Sequence, residues 1–395
     1  MAALILAGRN IALIVAVVLT AFLGSAAARA YPTTDVFCFV TAARLVAEGK
    51  DPYETTVWTA ATAGEFADYR GSLRPSSCLD HFAYPLSTAI ALIPLSWIDP
   101  GWVPFVWQIV LFAASAIGVA ALAGAVGRRD RTLTLGLAVA LSQPFWLTVL
   151  NAQFGGILLA AVGACTALAA RHKDSFAGVA LSLGWLKPHV VAVALVAAPI
   201  RRLRSREPAM ALAMLVTLGL ATAVSFAVRP GWAVEYATQL VEDREAQTAG
   251  STSLVGISSA LTSSAIPGIL TAIAVVGLAV LLLWRHQVSD AEFVSLAVAS
   301  SLVLSPHLGS HDQLLLAPSW AVLLQPQGSG GGITVALLAV VLPWALYSLR
   351  DSVVGPEGLS GLMPAITLLT VAFILRARSA ARPKLDGYKT APTRP

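Results

Sequence analysis

The sequence predicts an all-α polytopic membrane protein, a single domain over residues 1–395 with two long outer loops. Three observations predict it. Hydrophobic residues make up 57% of the chain and charged residues only 12%. The mean hydropathy is +0.75. Apolar stretches close to bilayer-spanning length follow one another from Ile11 to Leu375. A soluble chain of 395 residues would need far more charge to cover its surface. A transmembrane β-barrel is excluded because its strands alternate polar and apolar residues, and disorder because too much of the chain is apolar.

The elements follow in order. Residues 11–28 form the first apolar run, and the flanking Arg9, Ala28, Arg29 and Ala30 resemble a cleavable signal peptide. The run is long enough to span, so a retained helix is expected. The first long loop, 30–83, leads to 84–98, a short run that stops at Asp99, Pro100 and Gly101 and is expected to re-enter rather than cross. Spans are then expected over 102–126, 133–150 and 155–170. The run 176–200 is interrupted at Lys187, Pro188 and His189, which predicts a broken helix pair that dips in and returns with the lysine at its tip. A span over 209–227 precedes the second long loop, 228–266. Spans over 267–284, 291–305, 312–324, 332–347 and 361–375 complete a bundle of about ten to twelve transmembrane or re-entrant helices.

Basic residues cluster between the runs, at Arg128, Arg129 and Arg131, at Arg171 and Lys173, at Arg201, Arg202, Arg204 and Arg206, and at Arg376, Arg378, Arg382 and Lys384. Such clusters mark cytoplasmic loops. Both termini are then cytoplasmic, and the extracytoplasmic face is acidic. The net charge of +5 does not point to nucleic acid, because a basic tail or an aromatic-basic surface is absent. Cys38 and Cys78 share the first outer loop, where an oxidising compartment would permit a disulfide, but spacing alone leaves the pairing open.

Every conspicuous polar residue falls on the extracytoplasmic side. Asp35 follows the first span closely, where partial burial would raise its pKa and suit it as a general base; a helix cap is the structural alternative. His81 and Tyr84 close the first loop as candidate substrate contacts, or as an interfacial histidine and a belt tyrosine. Gln153, in the polar break at Asn151, Ala152 and Gln153, offers an amide suited to sugar hydroxyls, although such residues also make turns. Lys187 is a cation among apolar helix halves and calls for a compensating anion; a phosphate on a lipid headgroup would serve, with His189 beside it, and a lysine that snorkels to the outer interface is the structural alternative. His307, His311 and Asp312 fall in one polar link as candidate substrate contacts, by hydrogen bonding or anion contact; the spacing does not match a metal site, so no metal or cofactor is expected. Within the second loop, Trp232, Val234, Tyr236 and Val241 alternate with Glu235 and Glu242, which predicts a short helix on the membrane surface.

Taken in order, these residues resemble the polyprenyl-phosphate-mannose-dependent mannosyltransferases of glycosyltransferase family 87, in the GT-C superfamily. The resemblance rests on Asp35 after the first helix, the turn at Gly49, Asp51, Pro52 and Tyr53, the sequence Phe82, Ala83, Tyr84, Pro85, the break at Gln153, Lys187 with Pro188, and Ser305 and Pro306 followed by His311 and Asp312. It implies a GT-C-type helical bundle in the cell membrane. It further implies an α-mannosyltransferase that moves mannose, with inversion, from a polyprenyl-phosphate donor to a lipid or glycolipid acceptor on the extracytoplasmic face, with Asp35 as base. The alternative reading is a transporter or flippase of a lipid-linked sugar, which would also need broken helices and a buried cation.

Overall fold

The computed structural model describes residues 28–67, 71–78, 81–127, 131–242, 251–325, 330–349 and 358–381, together with 22, 25 and 26. The expected first span, apart from residues 22, 25, 26 and 28, and Arg9, Arg128, Arg129, Arg382 and Lys384 fall outside the described residues. Helices dominate; the two described strands, Glu65–Ala67 and Leu73–Pro75, pair antiparallel within the first loop.

Five described helices are long and apolar enough to cross a membrane: Val103–Ala125, Ala209–Val228, Ile266–Leu283, Gly330–Ser348 and Leu359–Arg378. Ala209–Val228 and Ile266–Leu283 have mean hydropathies of 2.2 and 2.6, yet only 11% and 17% of these windows are buried within the protein. Leu212, Leu215, Leu220, Ile273 and Leu281 stand exposed along them. Leaving each such side chain in water forfeits about 1.5–3 kcal/mol, so lipid is the solvent of these faces. The chain is a multi-pass membrane protein.

Proline and glycine explain where the helices depart from straight spans. The expected span 133–150 is two helices, Thr132–Leu141 and Gln143–Leu150, bent by 62°. Pro144 lacks an N–H for the helical ladder, and the Ser142 hydroxyl instead caps the second helix at Phe145 N. Gly330–Ser348 carries a π turn at Leu337–Val341 just before Pro343, which absorbs the missing donor. Residues 84–98 form two short helices, Leu86–Ala91 and Ile93–Ser96, neither near bilayer length. Helices Gly155–Ala169 and Asp290–Leu304 have 15 residues each, short of a full crossing. The expected span 312–324 is corrected: it is a 3₁₀ turn, Ser310–Leu316, followed by the helix Ala317–Leu323 of only 7 residues, buried in the bundle.

Val103–Ala125 and Gly155–Ala169 lie backbone against backbone. A Cβ on Gly163 would sit 2.7 Å from the Gly118 carbonyl oxygen, so only glycine permits this approach. The pairing fixes an axis with two polar ends. At its C-terminal end, Ala169 O accepts from Arg202 Nη2 at 2.8 Å. Around its N-terminal end, some 20 Å away by helical rise, gather the remaining polar groups.

Candidate active site

Asp35 opens the helix Asp35–Ala47, and its backbone N–H donates to Asn151 O at 3.1 Å. Its half-buried carboxylate accepts from Gln153 Nε2, with the Ser77 hydroxyl as a second side-chain partner. A disulfide between Cys38 and Cys78 pins the Ser77 segment against the first turn of this helix. Burial pushes the Asp35 carboxyl up to about 6, opposed by the Lys187 ammonium and the Gln153 amide and reinforced by the Asp312 charge.

Lys187, whose charge acts on Asp35, comes from a separate segment of the chain. Pro188 drives it out of helical geometry, to φ −146° and ψ 74°, between the 3₁₀ turns Leu183–Leu186 and Pro188–Val190. It is only 4% exposed. Its Nζ donates to Asp312 Oδ1 at 2.7 Å and lies 3.1 Å from His311 Nε2. The other oxygen of Asp312 accepts from Gly309 N at 3.0 Å, so one carboxylate both caps its own turn and neutralises the lysine. An ammonium has three N–H donors, and this pairing engages two. Behind it the His189 and His307 rings lie 5.9 Å apart, and His189 Nε2 is buried without a hydrogen-bond partner.

One turn joins the two halves. The Thr148 hydroxyl meets both Pro144 O at 2.8 Å and His311 O at 3.1 Å, while Gln153 N donates to Thr148 O at 3.0 Å. Trp107 Nε1 holds Ala152 O at 2.8 Å, and Ala152 itself has φ 53°, a left-handed conformation that costs an alanine energy and aims the next side chain at Asp35. Phe39 stacks on Phe154 at 4.3 Å and meets the edge of Tyr84 at 4.9 Å. The Tyr84 hydroxyl lies within electrostatic reach of Asp35 and Asp312 and within hydrogen-bonding reach of Gln153.

The two long loops interlock above this wall. Tyr53 Oη donates to Tyr84 O at 2.7 Å, and Gln239 Nε2 donates to Tyr53 O at 2.9 Å. Arg229 pairs with Asp51 and, at 2.7 Å, with Glu235. The turn at Gly49 to Tyr53 is thereby clasped by the helix Trp232–Glu242, whose Val234 and Val241 face outward.

Of the residues singled out from the sequence, Asp35, Tyr84, Gln153, Lys187, His311 and Asp312 form one connected group, with His189 and His307 along its edge. His81 is buried next to Phe82, whose ring packs on those of Tyr53, Trp58 and Tyr84. The anion expected for Lys187 is supplied first by Asp312, a residue read from sequence only as a substrate contact. Ser77 and Thr148 went unnoticed. Ser77 had a signal, since it adjoins Cys78 and a bond to Cys38 brings it beside Asp35; Thr148 had none. Among the described residues, no group of three or more His, Cys, Asp or Glu side chains is arranged to hold a metal.

A family model described as glycosyltransferase family 87 matches residues 82–306, more than half of the chain. The chain belongs to glycosyltransferase family 87. It is a membrane glycosyltransferase, and the connected polar group is the candidate centre of this family 87 enzyme. The matched stretch contains Tyr84, Gln153, Lys187 and His189, whereas Asp35, His81, His307, His311 and Asp312 lie outside it and join the others through the fold. No curated protein and no solved structure matches the chain.

Proposed function

We propose that the enzyme transfers mannose from a polyprenyl-phosphate donor to a hydroxyl of a lipid or glycolipid acceptor on the extracytoplasmic face of the cell membrane. Asp35 takes the proton of the acceptor hydroxyl as its oxygen bonds to the anomeric carbon. The bond from that carbon to the phosphate oxygen breaks, and polyprenyl phosphate departs with one more negative charge. Attack opposite the leaving group inverts the anomeric centre. The third N–H of Lys187 meets the departing phosphate, with His189, His307 and His311 around it. Preorganised donors of this kind contribute about 3–4 kcal/mol to a barrier. Asp312 holds the ammonium in place, while His81, Tyr84 and Gln153 line the space for sugar.

The observation that carries this reading is a half-buried carboxylate with its pKa pushed up to about 6, facing a buried lysine whose donors are not all used. A base ionised above about 6 is matched to neutral pH. Lipid-exposed helices around the bundle suit a donor that diffuses in from the bilayer. The test is purified enzyme in proteoliposomes with radiolabelled polyprenyl-phosphate-mannose and candidate glycolipid acceptors. Labelled glycolipid of inverted configuration is expected; labelled donor that crosses the bilayer unconsumed would instead mark a flippase.

A further inference from the structure

We propose that Gln153 is a positioning residue that locks one oxygen of Asp35, so that the other is presented to the acceptor hydroxyl. The inference rests on the reading of Asp35 as the general base and moves Gln153 from sugar contact to the machinery that aims that base.

Gln153 is 4% exposed, yet its Oε1 is buried with no hydrogen-bond partner, while its Nε2 donates to Asp35 Oδ2. A buried amide kept with one end unsatisfied is poor structural economy, because apolar side chains of that size would fill the space without the penalty. The surroundings hold the amide in place. Gln153 N is bonded to Thr148 O, Trp107 grips Ala152 O, and Ala152 adopts a strained left-handed conformation immediately before it. Asp35 is tied to the same turn by its own N–H to Asn151 O, so base and amide share one frame. With Oδ2 occupied, the carboxylate cannot rotate freely. The groups acting on Asp35 are Lys187 and Asp312 through their charges, and Ser77 and Gln153 through hydrogen bonds. Tyr84, which Asp35 influences in turn, completes the wall.

A role in positioning predicts a loss in kcat rather than in KM, together with a displaced pH profile, since the amide favours the ionised carboxylate. The experiment compares wild type, Gln153→Leu and the isosteric Gln153→Glu for mannose transfer between pH 5 and 8.5, with thermal unfolding measured alongside. Gln153→Leu is expected to unfold within a few degrees of wild type and lose roughly 10- to 100-fold in kcat with little change in acceptor KM. Its ascending pH limb moves upward. Gln153→Glu moves that limb further, because a second carboxylate adjoins the first. If either folded variant keeps the wild-type limb and kcat, or raises KM alone, Gln153 does not position the base. Asp35→Asn separates the two claims: full activity there removes the base itself, whereas an inactive Asp35→Asn beside an unperturbed Gln153→Leu overturns only the positioning.

Discussion

Arg202 and Lys187 are both buried cations at breaks between helices, at opposite ends of the bundle, but their surroundings differ. The Arg202 guanidinium donates to Ala169 O, Asp290 Oδ2 and Glu207 Oε2, each at 2.8 Å, and its remaining nitrogen makes an ion-pair contact with Asp174 Oδ1 at 3.4 Å. Three carboxylates and a helix C-terminus enclose it, and Arg201 adds a second cation to Asp290. Lys187 has one carboxylate, one imidazole and an unengaged N–H, with an unpartnered His189 nitrogen and Gln153 oxygen close by in the same group. The first arrangement is closed and staples three helix ends together. The second keeps donor and acceptor atoms unspent. A buried charge therefore does not identify a functional site; unspent hydrogen-bonding capacity around it does.

The comparison can be broken most severely at the open end. Lys187→Met alone leaves Asp312 buried without its counter-ion, so it should both destabilise and inactivate. Pairing Lys187→Met with Asp312→Leu removes both charges and should recover the fold while transfer stays down at least about 100-fold. Wild-type transfer in that folded double variant would show the pair to be structural. At the closed end, Arg202→Met leaves the buried Asp174 without its cation, while Asp290 keeps Arg201, and should lose about 3–5 kcal/mol in unfolding free energy. The protein that remains folded should keep the wild-type pH limb, and a shifted limb would couple the two ends. Replacing Cys38 and Cys78 by serine releases the Ser77 segment and should lose roughly 2–4 kcal/mol, read by thermal unfolding with and without reductant. The smallest effect belongs to Arg229→Ala on the loop clasp. Its partly exposed ion pairs are worth about 1 kcal/mol or less, and the measurement is again thermal unfolding.

Much of the fold was legible because apolar runs must become helices in a bilayer. The Lys187 break was legible for a related reason, since proline and a charge cannot both continue a buried helix. The bend at Ser142 was not, as Ser142, Gln143 and Pro144 interrupt an otherwise apolar run for only three residues and only tertiary packing decides whether such a helix kinks. The 312–324 stretch misled for the opposite reason: it is apolar because it is buried in protein, and hydropathy does not distinguish protein from lipid. Arg202 looked like part of a solvated cytoplasmic cluster, because Arg201, Arg202, Arg204 and Arg206 are equivalent until a helix turns one of them inward. In the site, residue types pointed to Asp35 and Lys187, but which anion met which cation depended on the fold bringing the chain from 35, 153, 187 and 312 together.

pH offers a graded check on the same site. With the Asp35 carboxyl pushed up to about 6, the base is protonated below that value, and kcat should fall about tenfold per unit as pH drops further. Stability runs the other way. A carboxyl whose folded pKa exceeds its unfolded one favours the fold most fully below the unfolded value, near 3.8, and loses that contribution as pH rises through 6. Opposed trends in rate and stability across pH 5–7 would sharpen the assignment.

The most direct test is the single-turnover rate of mannose transfer by Asp35→Asn in lipid, at saturating donor and with folding verified. The account predicts a fall of roughly 100- to 10,000-fold, because the amide cannot accept the proton although it keeps the shape. A rate within a factor of about three of wild type would contradict it.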